Sequence, residues 1–109
     1  MWCAKTVFVA VCTGILGNAC AAPVACPTSV AEGGVRHALD NASLYDGPPD
    51  QMADLIPEPA GNVDRWSLDG IDDPYLVCKY RGTDRTITLR SKGASVCEAG
   101  KKPFRAYCR

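Results

Sequence analysis

The sequence predicts a mainly β domain, a small antiparallel sheet or barrel-like fold with one short helix, held together by disulfides. Three observations carry this expectation. The stretch from Tyr75 to Arg90, YLVCKYRGTDRTITLR, has β-branched and aromatic residues on both sides of a Gly-Thr pair, which marks a hairpin. Apolar residues recur at period two in the stretch 104–108, and in 63–68 Trp66 and Leu68 share one face with Asp64. Four cysteines remain once the leader-like N-terminus is set aside.

Within the hairpin, Gly82 at the first central position suits a two-residue type II′ turn. That turn puts Arg81 opposite Asp84, Leu76 opposite Leu89 and Cys78 opposite Ile87, with Lys79–Thr86 and Val77–Thr88 paired on the other face. A three-residue loop would set Leu76 against Arg90 and Cys78 against Thr88, mixing the faces, so alternation selects the first register.

The N-terminus reads as a secretory signal. Lys5 supplies the positive region, Thr6 to Leu16 the apolar region, and Ala19-Cys20-Ala21 a small-residue cleavage site. Residues 1–21 are then a signal peptide, cleavage falls before Ala22, and residues 22–109 form one small domain. The apolar run is well short of the ~20 residues that span a bilayer, so the mature chain is expected to lack a transmembrane segment. Lipid attachment at Cys20 or Cys26 is the rival reading, but Gly17 and Pro23 stand where a Leu-like residue is wanted.

Of seven cysteines, Cys3, Cys12 and Cys20 fall in the leader, leaving Cys26, Cys78, Cys97 and Cys108. In an oxidising compartment these imply two disulfides, for which three connectivities exist. The assignment adopted is Cys26 with Cys78, tying the N-terminal segment to the hairpin, and Cys97 with Cys108, linking the last two strands. A zinc site would want ligands at C-x-x-C spacing, and none occurs, so neither metal nor cofactor is expected.

Taken in order, Cys26 to Ala31 starts a first strand, with Pro27 suited to its start or to an edge. Glu32-Gly33-Gly34 breaks it, and 35–39 is too short for periodicity to separate helix from strand. His37, the single histidine, has no recognisable nucleophile or carboxylate partner and reads as structural. A strand ends near Tyr45, Asp46-Gly47 turns the chain, and Pro48 and Pro49 remove two amide donors. A short helix is expected over 50–55, with Met52, Leu55 and Ile56 forming one apolar stripe that must dock on the sheet. Glu58 to Asn62 reads as a loop, Val63 to Leu68 as a strand with Trp66 as a core anchor, and Asp69 to Pro74 as a carboxylate-rich turn. Calcium is not expected there, because Asp69, Asp72 and Asp73 lack EF-hand spacing. Strands over 94–97 and 104–108 close the chain.

Net charge is zero but uneven: 26–76 carries ten acidic and two basic residues, whereas 77–109 carries nine basic and two acidic. Acidic loops folding back over basic strands is the preferred explanation. The alternative is a dipolar surface suited to a charged partner.

Several blocks together resemble a small family of uncharacterised exported bacterial proteins. They are the leader followed by Cys26-Pro27, the LYDGPP block at Leu44 to Pro49 with Leu55-Ile56-Pro57, Trp66, the LVCKYRGT block at Leu76 to Thr83, and the two late cysteines. The resemblance implies a periplasmic location and a disulfide-linked fold, and no activity.

No paired acid and base, nucleophile motif, phosphate-cradling loop or metal cluster is visible, which argues against an enzyme. Balanced charge and an export signal argue against nucleic acid. The expectation is therefore a periplasmic or secreted protein-binding module whose partner is another exported or envelope protein. In size, compartment and cysteine content it resembles small bacterial lysozyme inhibitors, so an inhibitor or immunity-type protein against a cell-wall hydrolase leads, with an accessory envelope protein as the alternative. The best contact surface the sequence offers is Tyr45, Asp46, Pro48, Pro49 and Asp50, a proline-stiffened, acidic turn. Its competing reading is a turn that merely covers a buried Tyr45.

Overall fold

One long strand organises the domain. In the computed structural model, which describes residues 23–109, Val35–Asp46 is continuous and carries partners on both flanks. Ten strands are present among the described residues: β1 (Val24–Ala25), β2 (Ser29–Glu32), β3 (Val35–Asp46), β4 (Asp54–Leu55), β5 (Glu58–Ala60), β6 (Val63–Ser67), β7 (Pro74–Tyr80), β8 (Thr86–Arg90), β9 (Val96–Gly100) and β10 (Arg105–Cys108). They form two antiparallel sheets. The first runs β2-β3-β7-β8, with β4 also on β3, and the second runs β1-β10-β9-β6-β5.

A bulge explains how one strand serves so many partners. Leu39 pairs with Tyr80 and Asn41 with Lys79, so Asp40 is an extra residue on β3. Asn41 Oδ1 accepts the Ala42 N–H at 2.8 Å and fixes the kink. The extra residue reverses the alternation: Leu39 and Leu44, five apart, would face opposite sides of a regular strand, yet both are buried. Main-chain bonding reverses too. Leu39 N–H donates to Thr28 O on the β2 flank, whereas Asp46 N–H donates to Ala53 O beside β4. Hence β2 and β4 occupy the same flank of β3, one at each end.

The inner faces of the two sheets meet in one core. Val30, Leu39, Ala42, Leu44, Leu76, Cys78 and Tyr80 come from the first sheet, and Trp66, Cys97, Ala99, Ala106 and Cys108 from the second. Trp66 is the anchor expected, and its indole N–H donates to Leu55 O at 3.1 Å, joining β6 to β4. Tyr80 O–H donates to Pro27 O at 2.8 Å, and burial pushes its pKa above the usual tyrosine value.

The disulfides join Cys26 to Cys78 and Cys97 to Cys108, as assigned from the sequence. The first bridges the sheets, because Cys26 N–H is held on Ala106 O of β10 while Cys78 lies on β7. Cys97 and Cys108 are directly opposed in the β9–β10 ladder, with Cα atoms 4.0 Å apart. The N-terminal signal and its cleavage site lie outside the described residues.

The hairpin register is also as read: Leu76 faces Leu89, Cys78 faces Ile87, Val77 faces Thr88 and Lys79 faces Thr86. Its turn is not. Pairing stops at Lys79–Thr86, and the wider loop is held by β2 and β3: Arg81 N–H donates to Ala38 O, Thr83 Oγ1 bonds Glu32, and Arg85 Nη1–H donates to Ala31 O. Those tertiary bonds outweigh the local preference for a two-residue turn. The first strand is split into β1 and β2 around Cys26-Pro27, and Glu58–Ala60 forms a strand because β6 supplies a ladder partner. The short helix shrinks to one 3-10 turn, Pro49–Gln51, since Met52 adopts φ 62° and ends it.

On the outer face of the second sheet, Glu98 is only 5 % exposed, flanked in register by Arg65 and Tyr107. Tyr107 O–H donates to one carboxylate oxygen. Arg65 Nε and Nη2 both lie 2.6 Å from the other, and Arg109 Nη2 lies 4.0 Å from it. These bonds, that from Tyr107 foremost and then that from Arg65, hold the Glu98 carboxyl below the usual glutamate range. The same bond pushes Tyr107 above the usual tyrosine range.

Two outcomes follow from this architecture. By chain entropy the 52-residue separation of Cys26–Cys78 makes that bridge worth about 4 kcal/mol, against about 3 kcal/mol for the 11-residue separation of Cys97–Cys108. Urea unfolding of the two double Cys→Ala variants should show the larger loss for the sheet-bridging pair; the reverse order would show that the cross-strand bridge carries more than loop closure. For Glu98, a folded pKa lowered from the unfolded value of 4.5 contributes stability that is complete above the ordinary glutamate range and is lost as pH falls through the folded value. Glu98→Gln should therefore destabilise at pH 7 and narrow its gap to wild type on acidification, read from urea midpoints. A gap independent of pH would mean that the carboxylate charge does not matter there.

Candidate functional site

β3 and β4 are the arms of a hairpin whose tip is 47–53. Leu44 pairs with Leu55 and Tyr45 with Asp54, and Asp46 N–H closes the ladder on Ala53 O at 3.0 Å. Gly47 then turns at φ 96°, where a Cβ would meet Gln51 Oε1 at 3.2 Å, and its N–H donates to Asp73 O at 2.7 Å. Pro48 and Pro49 lead into the 3-10 turn, closed by bonds of 3.0 Å from Gln51 N–H to Pro48 O and from Met52 N–H to Pro49 O. Few tip residues are free to rearrange, because two are prolines and most remaining donors are used.

All five residues proposed from the sequence are brought together here. Asp46 and Asp50 are exposed, while Tyr45, Pro48 and Pro49 are half-buried. Tyr45 is not hidden beneath the turn. It lies in a row across the first sheet, Asp54–Tyr45–Tyr75–Arg90, given by the three ladders. The Arg90 guanidinium sits 5.6 Å from the Tyr75 ring centroid and its Nε–H donates to Asp73 at 2.8 Å.

Two residues that the sequence assigned to a docked stripe are instead the most exposed large apolar side chains described. Met52 is 80 % exposed and Ile56 90 %, while Leu55 alone of the three packs on the core. Helical spacing misplaced them, since residues at i and i+4 share a face only if the helix exists. The available signal was Gly47-Pro48-Pro49 before a potential return strand, a hairpin tip rather than a helix start.

Charge at the tip is uncompensated. Of the ten carboxylates in 26–76, Asp40 pairs with Arg81 and Asp73 with Arg90, but among the described residues Asp46, Asp50, Asp54 and Glu58 form no ion pair. Among the described residues, carboxylates of the acidic half thus meet the basic half in ion pairs at these two points.

No catalytic constellation accompanies this surface. His37 Nδ1–H donates to Arg81 O at 2.8 Å and ties β3 to the hairpin loop. Among the described residues no group of His, Cys, Asp and Glu is placed to hold a metal, and no helix is long and apolar enough to cross a membrane. What the hairpin offers is a braced, acidic turn with Met52 exposed on it and Ile56 exposed just after β4, the composition of a protein-contact surface.

Comparison with known proteins identifies the family. No curated protein and no solved structure matches the chain, whereas the model of the type VI secretion system Tli immunity protein family matches residues 32–108, from the end of β2 to the last residue of β10. The chain belongs to the type VI secretion system Tli immunity protein family, and its function is that of an immunity-type binding protein.

Proposed function

We propose that this protein is exported to the periplasm and neutralises an effector of a type VI secretion system by binding it through the β3–β4 hairpin tip. The observation that carries the surface assignment is the exposure of Met52 and Ile56 beside the unpaired carboxylates of Asp46, Asp50 and Asp54 on a braced turn. Apolar anchors surrounded by charge supply affinity and orientation respectively, and bracing lowers the ordering cost of association. The surface fits an effector whose contact region is basic around an apolar recess. Inhibition is by occupancy, since the tip holds no group positioned for chemistry.

The compartment follows from two further features. Residues 1–21 have the pattern of a cleaved secretory signal, and both described disulfides need an oxidising environment. Residues 22–109 are the mature domain. Cys26 is committed to its disulfide, so it is not a lipid attachment point.

The test is a protection assay in recipient cells challenged by a strain that delivers the effector. Wild-type protein should protect, while a chain without residues 1–21, retained in the cytoplasm, should not. Asp46→Ala with Asp50→Ala, and Met52→Ala with Ile56→Ala, should each leave stability within ~0.5 kcal/mol because the side chains are exposed. Effector affinity should fall at least tenfold, about 1.4 kcal/mol, with the acidic pair also flattening the salt dependence. Full protection and unchanged affinity in both variants, with native stability, would place the contact elsewhere on the domain.

A further inference from the structure

Among the described residues the far edge of the first sheet is open. There β8 pairs with β7 on one side only, and its five residues make it the longest edge strand described, against two to four in β1, β2, β4 and β5. The ladder fixes which main-chain groups are spent. Ser91 N–H donates to Pro74 O at 2.8 Å, so by alternation Leu89 and Ile87 bond to β7, and the N–H and C=O groups of Thr86, Thr88 and Arg90 point off the sheet. The usual devices that blunt an edge are missing. β5 contains Pro59, but β8 has neither proline nor bulge, and its neighbouring cations are engaged, Arg85 on Ala31 O and Arg90 on Asp73.

We propose that this edge pairs with β8 of a second copy, antiparallel about Thr88, to give a two-fold dimer with one continuous sheet. In that register Thr88 faces Thr88 and Thr86 faces Arg90, so every outward N–H of the strand meets an outward carbonyl of the other copy. Ile87 stands beside Leu89 of the other copy on the inner face. Both side chains are half-buried at present, and the pairing covers their remaining flank. Beyond the strand ends, Asp84 comes opposite Lys92 on both sides of the axis. Neither forms an ion pair among the described residues, so the match is one of opposite, unused charges. Moving the axis to Ile87 or Leu89 leaves one outward residue without a strand partner and separates Asp84 from Lys92.

The contact is isologous and closed, because pairing consumes the edge that made it. Two five-residue strands bury less than the roughly 1,200 Å² of a stable interface, so the dimer is weak and concentration-dependent. β4 lies on the opposite flank of the sheet, and both hairpin tips stay free.

Sedimentation of protein purified from periplasm, from micromolar to sub-millimolar concentration, should show mass rising from monomer toward dimer. Thr88→Pro deletes an outward donor without touching a β7 bond, and should raise the dissociation constant at least tenfold with an unchanged circular dichroism spectrum. Should that variant fail to fold, Thr88→Lys sets like charges face to face and should have the same effect. A nitroxide on Thr88→Cys should report a pair separation of about 20 Å or less, given the ~5 Å spacing of adjacent strands. A monomer at all concentrations, a dimer indifferent to folded Thr88 variants, or a longer label separation would overturn the proposal. Loss of effector binding in Thr88→Pro alongside a monomeric wild type would overturn it in favour of a strand from the effector. Protection by folded Thr88→Pro tests the hairpin-tip reading separately.

Discussion

The single extra residue in β3 is the constraint on which the rest depends. A regular twelve-residue strand has one set of neighbours and one buried face throughout. By shifting the alternation at Asp40, β3 buries Leu39 before the bulge and Ala42 and Leu44 after it, while turning its outward hydrogen bonds from β2 to β4. Leu44 and Leu76 are fully buried opposite each other, and Ala42 faces Cys78. The β3–β7 pairing therefore places both the deepest part of the core and the cysteine that ties it to the second sheet. Because β4 has a flank to return to, the chain between them becomes a hairpin tip and not a helix.

The second sheet is secured by different means. Apart from Trp66 it contributes small core residues, Ala99, Ala106, Cys97 and Cys108, which offer little apolar area by themselves. Covalent links compensate, one within the sheet and one across to Cys78. On its outer face lies the Glu98 cluster, in which Arg65 and Tyr107 each bond one of the two carboxylate oxygens and Arg109 adds charge at 4.0 Å. A carboxylate so enclosed costs desolvation, and the cluster offsets it with charge-assisted bonds.

Much of this fold was legible because period-two alternation is a strong local signal. Alternation yields the β7–β8 register residue for residue and the inward face of β6 with Trp66, whereas the Cys97–Cys108 bridge is selected among three connectivities without a register. What failed did so where non-local pairing overrides local preference. Val35 to Leu39 was ambiguous because the five residues before the bulge are too few to show a period, and the shift at Asp40 stops the pattern from continuing into the rest of β3. Glu58 to Ala60 carries Pro59 and reads as a loop, yet β6 recruits it at an edge. The tip residues from Tyr45 to Asp50 were legible as a stiff, acidic turn, since proline and aspartate declare themselves. Met52 and Ile56 were not, because an apolar residue carries no mark distinguishing burial from exposure.

That last failure bears on function. Met52 holds a left-handed conformation, φ 62°, which disfavours a side chain with a Cβ, and it does so while displaying that side chain to solvent. A glycine there would relieve the strain, and a polar residue would suit the exposure. Neither is present. Local strain and exposed apolar surface on one residue, on a turn whose backbone is braced from both sides, mark a site shaped by something other than stability of the free chain. The carboxylates of Asp46, Asp50 and Asp54 fit the same proposal, since none of them forms an ion pair among the described residues. The hairpin-tip contact proposed above would supply what the free chain lacks, a basic partner surface for the carboxylates and an apolar recess for Met52 and Ile56.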